Sequence, residues 1–293
     1  MAVMAIAPKV LVIKSANLRK VPWLVHGFST RQGGVSKSYG GRSLNLGYTK
    51  EDSRECVEKN RQRFLLALGA ADKGKPWPLV ALKQVHSDAI HVVKVRAAGQ
   101  LVGDGLVTNV PQIALAVQTA DCFPVLLVDR TNRAVGAFHA GWRGTIKRIA
   151  EKGLGVMRRH YGTEPRDVSA AIGPGIQKCC YEVGEEVRSQ FESQFDYASE
   201  LFNELYSPDP IREKYPLLFL NARPPGHGDT ATKLYLDIME ANRRQLLMAG
   251  VPENQISVVN FCTSCNRRKF FSHRAEKGVT GRMMAAVGVK KPG

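Results

Sequence analysis

Apolar residues recur at helical spacing over Ser53 to Ala70, where Val57, Phe64, Leu65 and Leu68 share one face. Ser53 can cap the start of this helix and Gly69 can help end it. A second helix is expected to follow Thr145, with Ile146, Ile149, Ala150, Leu154 and Met157 in register. The spacing also fits helices over Gly184 to Phe195 and Thr230 to Ala249, the latter stopped by Gly250 and Pro252. Between them lie short, β-branched apolar runs that read as strands: His91 to Val95, Ile113 to Gln118, Pro124 to Asp129, Ala134 to His139, Val168 to Ile172 and Ile256 to Phe261. The opening MAVMAIAPKVLVIK has no basic residue before its apolar stretch and reads as a first strand, not a signal peptide. Several strands succeed one another with no helix between them. Regular βαβ alternation therefore fails, and an α+β architecture with a mixed sheet or sandwich is expected. No G-x-G-x-x-G follows a strand, which disfavours a dinucleotide fold. With no repeat and no long linker, residues 1–293 read as a single domain.

Composition changes this picture little. Apolar residues make up 44% and charged residues 23%, which excludes a disordered chain. The best apolar window, Ile113 to Val128, is broken by Gln118 and Asp121 and falls short of the ~18 residues of a membrane span. No membrane partner is expected, and the cytoplasm is the default location. Charge is the unusual quantity: 42 Lys and Arg against 26 Asp and Glu give +16. Three readings fit it: a basic solvated surface, a phosphate-bearing small substrate, or nucleic acid. Zinc-finger, RNP and bZIP patterns are missing, so no specific nucleic-acid partner is expected.

The candidate chemistry lies between Lys83 and Thr145, in KQVHSD, QTADCFPVLLVD and AFHAGWRGT. His86, Cys122 and His139 each fall at or near a strand end, and imidazole and thiolate are ligands that zinc favours. Three such ligands with an open position would make a catalytic metal site. A packed core histidine beside unrelated polar residues fits the same spacing. After His139, the turn Ala-Gly-Trp-Arg-Gly-Thr opens a helix, so free backbone N–H groups and Arg143 could hold an anion. The alternative is a tight turn with Trp142 packed into the core. Cys262-x-x-Cys265 reads as a pair of structural thiols, since no second CxxC accompanies it. Adjacent Cys179 and Cys180 should not ligate one metal together if their segment is extended, because successive side chains then point apart.

The motifs HGFSTRQGGVS with SLNLG, KQVHSD, TADCFPVLL, HAGWRGT, IGPGIQKCCYEVG and FCTSCNRRKFFSHR with TGR run in order over residues 26 to 282. They resemble the laccase-domain, or YfiH-like, family, once labelled multicopper polyphenol oxidase and now read mainly as purine nucleoside phosphorylase. The resemblance implies an α+β fold with a central mixed β-sandwich flanked by helices. It also implies Zn2+ held by His86, Cys122 and His139, and purine nucleosides and inorganic phosphate as partners. The implied activity is cleavage of adenosine, inosine and methylthioadenosine by phosphate, with deamination of adenosine beside it. Arg31 and Asn45 match pocket-lining motif positions and are implied substrate or phosphate contacts; Arg143, read above from the turn, joins them as a phosphate candidate, and Asp121, next to a candidate ligand, is a candidate proton carrier. Ser87 stands where many relatives have glycine, and Gly175 where cysteine or alanine is common.

Three rival functions remain at this level. A copper-dependent polyphenol oxidase would need many imidazoles, whereas the chain has seven histidines and no His-x-His, although copper could occupy the same ligands. A cysteine hydrolase, including a peptidoglycan-precursor editing factor, would use Cys122 as its nucleophile. A non-enzymatic nucleic-acid binder rests on charge alone.

Overall fold

The computed structural model describes residues 9–94, 100–206 and 232–292, together with residues 211, 214, 215 and 217. Two mixed sheets form its centre. The five-stranded sheet runs Val12–Ile13, Leu24–Ser29, Met283–Val289, Ala114–Thr119, Leu79–Ala81; the six-stranded sheet runs Ile256–Val258, Val168–Ile172, Phe123–Asp129, Ala134–Ala140, Gly105–Thr108, Ile90–Val92. Pairing is mostly antiparallel, with parallel pairs at the edges, such as Val168–Ile172 beside Ile256–Val258.

The alternation along Phe123–Asp129 explains the layers. Leu126 and Val128 join Leu115, Val117, Ala285 and Val287 in the core between the sheets, while Val125 and Leu127 face the other way, into a core shared with helices. That outer core is closed by Ile149–Tyr161, Glu185–Glu192 and Ile238–Met248. On the opposite side, helix Arg54–Leu68 lays Phe64, Leu65 and Leu68 on Val25, Ala114, Ala116 and Met284. Its cap is the one expected, with Ser53 Oγ accepting from the Cys56 amide and Gly69 in the left-handed conformation at φ 85°. The result is an α+β sandwich of two mixed sheets with helices on both outer faces.

Two expected helices are corrected. The one after Thr145 begins earlier and is broken: Trp142–Ile146 forms a short helix, Arg148 turns left-handed at φ 58°, and Ile149–Tyr161 starts anew. Arg148 is fixed there by bonds to Glu151 and to the Gln194 carbonyl. Of the helix placed over Thr230 to Ala249, residues 230–231 lie outside the described residues and the rest is a strand, Thr232–Leu236, followed by helix Ile238–Met248. Leu234 and Leu236 alternate with Lys233 and Tyr235 there, a period of two that pairs with Phe202–Tyr206. Two expected strands have shifted ends: the one placed over His91 to Val95 is Ile90–Val92, and Ile256–Val258 stops short of Phe261. Val95 and residues 1–8 lie outside the described residues, so the expected opening strand is seen only as Val12–Ile13.

The seam between helix Ile149–Tyr161 and the six-stranded sheet is tightly built. A Cβ on Gly153 would come within 2.3 Å of the buried Phe138 ring, whereas one on Gly155 would meet nothing within 4 Å. Gly155→Ala should therefore raise stability by up to about 1 kcal/mol through helix propensity alone. Gly153→Ala makes the same propensity gain but should lower stability, because overpacking costs about 1–3 kcal/mol. Urea midpoints of the two variants check this, and a stabilised Gly153→Ala would contradict the packing described.

Candidate active site

The site forms where strand ends of both sheets meet. Cys122 immediately precedes Phe123–Asp129, His139 lies near the end of the adjacent strand Ala134–Ala140, and His86 sits on the loop after Leu79–Ala81. The three ligand atoms lie within 4.8 Å of one another, with Cys122 Sγ 3.9 Å from His86 Nε2. The two imidazoles meet edge to face, ring centres 4.9 Å apart. Tetrahedral zinc with bonds of ~2.0–2.3 Å needs donors roughly 3.5 Å apart, so small side-chain motions complete the geometry. A further sign of a shaped site is Gly141, where a Cβ would lie 2.8 Å from Cys122 Sγ and 3.2 Å from the His86 ring. The residues present fit a soft or borderline divalent metal.

Asp104 holds this arrangement together. It has no exposed surface, and its carboxylate accepts from the amides of Val85, His86 and Ser87, from Ser87 Oγ at 2.8 Å, and from His139 Nδ1 at 2.8 Å. Burial opposes its ionisation, but the bonds from His139 and Ser87 outweigh that and keep the carboxyl well below its usual range. A proton on His139 Nδ1 leaves Nε2 for the cavity, and a carboxylate behind a ligand histidine raises its basicity. Ser87 is accounted for by the same contact: its hydroxyl serves Asp104. Sequence reasoning missed Asp104, although an acid between Gly103 and Gly105 at a strand start was the available signal.

The surroundings of the two residues favour a thiolate at Cys122 beside a protonated His139. Burial raises the thiol, but the charge and hydrogen bond of His139, with help from His86, bring it down to about 6. Burial lowers His139, and the Cys122 thiolate and Asp104 more than offset this, lifting it to about 9. Both shifts favour the charged forms at neutral pH.

These groups lie on one side of a cavity of about 630 Å³. Lys83, Arg143, Arg274 and Arg282 line it against one carboxylate, Asp121, and Tyr48, Trp142 and Tyr181 supply aromatic surface. The Arg143 guanidinium stacks 4.2 Å from the Trp142 ring and makes no ion pair among the described residues. The anion cradle expected from the turn is reduced, because Trp142–Ile146 spans only five residues; side-chain cations dominate instead. Asp121 is nearly buried, with φ 97°, and accepts from Thr263 Oγ1 at 2.6 Å and the Arg274 amide at 2.7 Å. His86 also has a positive φ, 57°. Such conformations cost of order 1–3 kcal/mol each and persist where surrounding bonds fix them.

Arg31 and Asn45 do not reach this cavity. Arg31 pairs with Glu276 at 2.9 Å, donates to the Tyr39 carbonyl, stacks on Phe271 and lines a separate cavity of about 400 Å³ with Arg42, Arg267 and Arg268. Asn45 is fully buried, accepting from the Gly47 and Arg282 amides and donating to the Gly47 carbonyl and Asp52. It acts on the cavity indirectly, by fixing the backbone of Arg282 and of Gly47, which precedes Tyr48. A Cβ at Gly175 would lie 2.6 Å from the Phe123 ring, so alanine or cysteine there would require that ring to move.

The fold and this site define a sandwich protein whose cavity brings His86, Cys122 and His139, a group able to hold a metal, among cations and aromatics. The chain belongs to the family described as multi-copper polyphenol oxidoreductase laccase, whose model matches residues 25–290. It is 36% identical over 291 residues to "Purine nucleoside phosphorylase" of Deinococcus radiodurans, covering 97% of this chain and 95% of that one. It is 32% identical over 273 residues to "Adenosine deaminase RL5" of an unknown prokaryotic organism, covering 90% and 93%. The crystal structure of the Bacillus licheniformis hypothetical protein YfiH aligns with a TM-score of 0.78 at 33% identity, covering 97% and 98%.

In metal-free protein, alkylation of Cys122 followed by peptide mass spectrometry should show a pH midpoint near 6, since a depressed thiol is ionised above that value. A midpoint near an ordinary thiol's, ~8.5, would contradict the ion pair. Asp104→Asn should weaken divalent-metal binding at His86, Cys122 and His139 by about 10–100-fold, as for other carboxylates behind ligand histidines, measured by chelator competition.

Proposed function

We propose that this chain is a zinc-dependent purine nucleoside phosphorylase that cleaves adenosine, inosine and methylthioadenosine with phosphate, and that it also deaminates adenosine. The observation that carries the reading is the cavity itself, in which His86, Cys122 and His139 stand beside four cations and three aromatic rings. The names of the relatives support the same two reactions.

Each part has work in phosphorolysis. Trp142, Tyr181 and Tyr48 offer flat apolar surface for the purine. Arg143 and its cationic neighbours bind and orient phosphate for attack on the sugar as the glycosidic bond weakens, a step governed by positioning and charge stabilisation. Asp121 accepts or delivers a proton at the cavity wall, its carboxylate held in one orientation by Thr263 and Arg274. Arg31 and Asn45 hold the segments behind that wall. A zinc ion held by His86, Cys122 and His139 would supply Lewis acidity to the reacting oxygen. Copper is an alternative occupant of the same ligands, but one three-ligand group does not make a multicopper cluster.

One observation favours a second reading. Cys122, His139 and Asp104 in a chain of contacts also match a cysteine hydrolase with an oriented base. Cys122→Ser separates the two. Activity and zinc at this site should fall together under the metal reading, whereas lost activity with that zinc retained favours the nucleophile.

Cleavage of adenosine and inosine should depend on inorganic phosphate and yield ribose 1-phosphate, while adenosine deamination should proceed without phosphate. Arg143→Ala should slow phosphorolysis roughly 10–100-fold, as expected for loss of a charged hydrogen bond, and spare deamination more. Free ribose formed at equal rates with and without phosphate would make the protein a hydrolase at the sugar and sink the proposal.

A further inference from the structure

Away from His86, Cys122 and His139, four cysteines distant in sequence come together. Cys179 and Cys180 were not expected to point the same way, but their segment is not extended: residues 178–180 form a turn, with the Cys180 and Tyr181 amides both donating to the Gln177 carbonyl. Both sulfurs therefore reach Cys265, Cys179 at 3.6 Å and Cys180 at 3.3 Å, and lie 3.8 Å from each other. Cys262 completes the set, and all four sulfurs lie within 4.8 Å of one another.

We propose that Cys179, Cys180, Cys262 and Cys265 bind a structural zinc ion as a closed tetrathiolate site, separate from the nucleoside chemistry. The distances carry this. A tetrahedral zinc with Zn–S bonds of ~2.3 Å sets its sulfurs about 3.8 Å apart, so the observed spacing already approaches that of the bound state. No pair is at disulfide distance, and all six cysteines are free. The backbone amides of Gln177 and Cys265 are directed at the Cys262 sulfur, as suits a thiolate. Lys178, Arg267 and Arg268 are sequence neighbours of the ligands and can balance the excess negative charge. On binding, the thiols release their protons to solvent and no redox change occurs.

The placement gives the ion a task. The loop carrying Cys179 and Cys180 is joined to the loop carrying Cys262 and Cys265 by Thr263 N to Gly175 O at 3.0 Å and by Gln177 to Asn260 at 2.5 Å. The first loop leads directly to Tyr181, and Thr263 in the second holds Asp121; both Tyr181 and Asp121 line the cavity. A zinc here pins one wall of the active site from behind.

The test uses a His86→Ala/His139→Ala variant, which removes the other metal site. Purified without added metal, it should retain about one zinc per chain by elemental analysis, and adding Cys180→Ser and Cys265→Ser should remove it. Cobalt substituted into the two-histidine variant should give the intense visible bands of a tetrahedral tetrathiolate. Should these variants fail to fold, wild-type protein decides: Cys179 and Cys265, although exposed, should resist iodoacetamide until a strong chelator is added. A zinc-free two-histidine variant, zinc that survives the serine substitutions, or ready alkylation of Cys179 and Cys265 in untreated wild type would each overturn the proposal. So would a native disulfide between Cys180 and Cys265.

Discussion

The carboxylate of Asp104 is the contact on which the site depends. A buried charge without partners costs several kcal/mol, and Asp104 avoids that cost by accepting five hydrogen bonds. Four of these come from the loop Val85 to Ser87 and one from His139, so a single group fixes His86 and His139 from different segments. The Asp104 carbonyl also receives the His139 amide at 2.8 Å, tying strand pairing to ligand orientation. Removing the charge would free both histidines together.

The rest of the site follows from where the two sheets end. Phe123–Asp129 and Ala134–Ala140 run antiparallel, which puts Cys122, just before one, beside the end of the other. Gly141 leaves room for the Cys122 sulfur, and the left-handed backbone at His86 turns its ring toward that sulfur. Strain at His86 and Asp121 is offset by bonds to Asp104 in the first case and from Thr263 and Arg274 in the second. The sheet thus carries His139 and, at its edge, Cys122, while loops carry His86 and most of the cations that line the cavity.

Local patterns exposed much of this in advance. The helix at Arg54–Leu68 and the strands Val168–Ile172 and Ala134–Ala140 were legible because periodicity and caps are local. Leu24–Ser29 and Met283–Val289, central in their sheet, were not, because glycines and a histidine interrupt their apolar runs. The motif residues His86, Cys122 and His139 were legible as a candidate group, and the fold brings them together. Asp104 was not, since its importance comes from contacts with residues 17 to 35 positions away. The grouping of Cys179 and Cys180 with Cys262 and Cys265 was hidden for a similar reason: it needs a turn at residues 178–180 and contacts more than 80 residues apart. Arg31 and Asn45 lie in pocket-like motifs yet spend their donors internally, which only packing reveals.

The central claim is that Asp104 organises His86, Cys122 and His139 into a single metal site beside the cationic cavity. Anomalous diffraction at the zinc edge from crystals grown with phosphate and a purine nucleoside tests it most directly. The account predicts a peak bonded to His86, Cys122 and His139, with His139 Nδ1 still on Asp104 and the phosphate among Arg143 and its cationic neighbours. Ordered nucleoside and phosphate in the cavity with no metal on those three residues would contradict it.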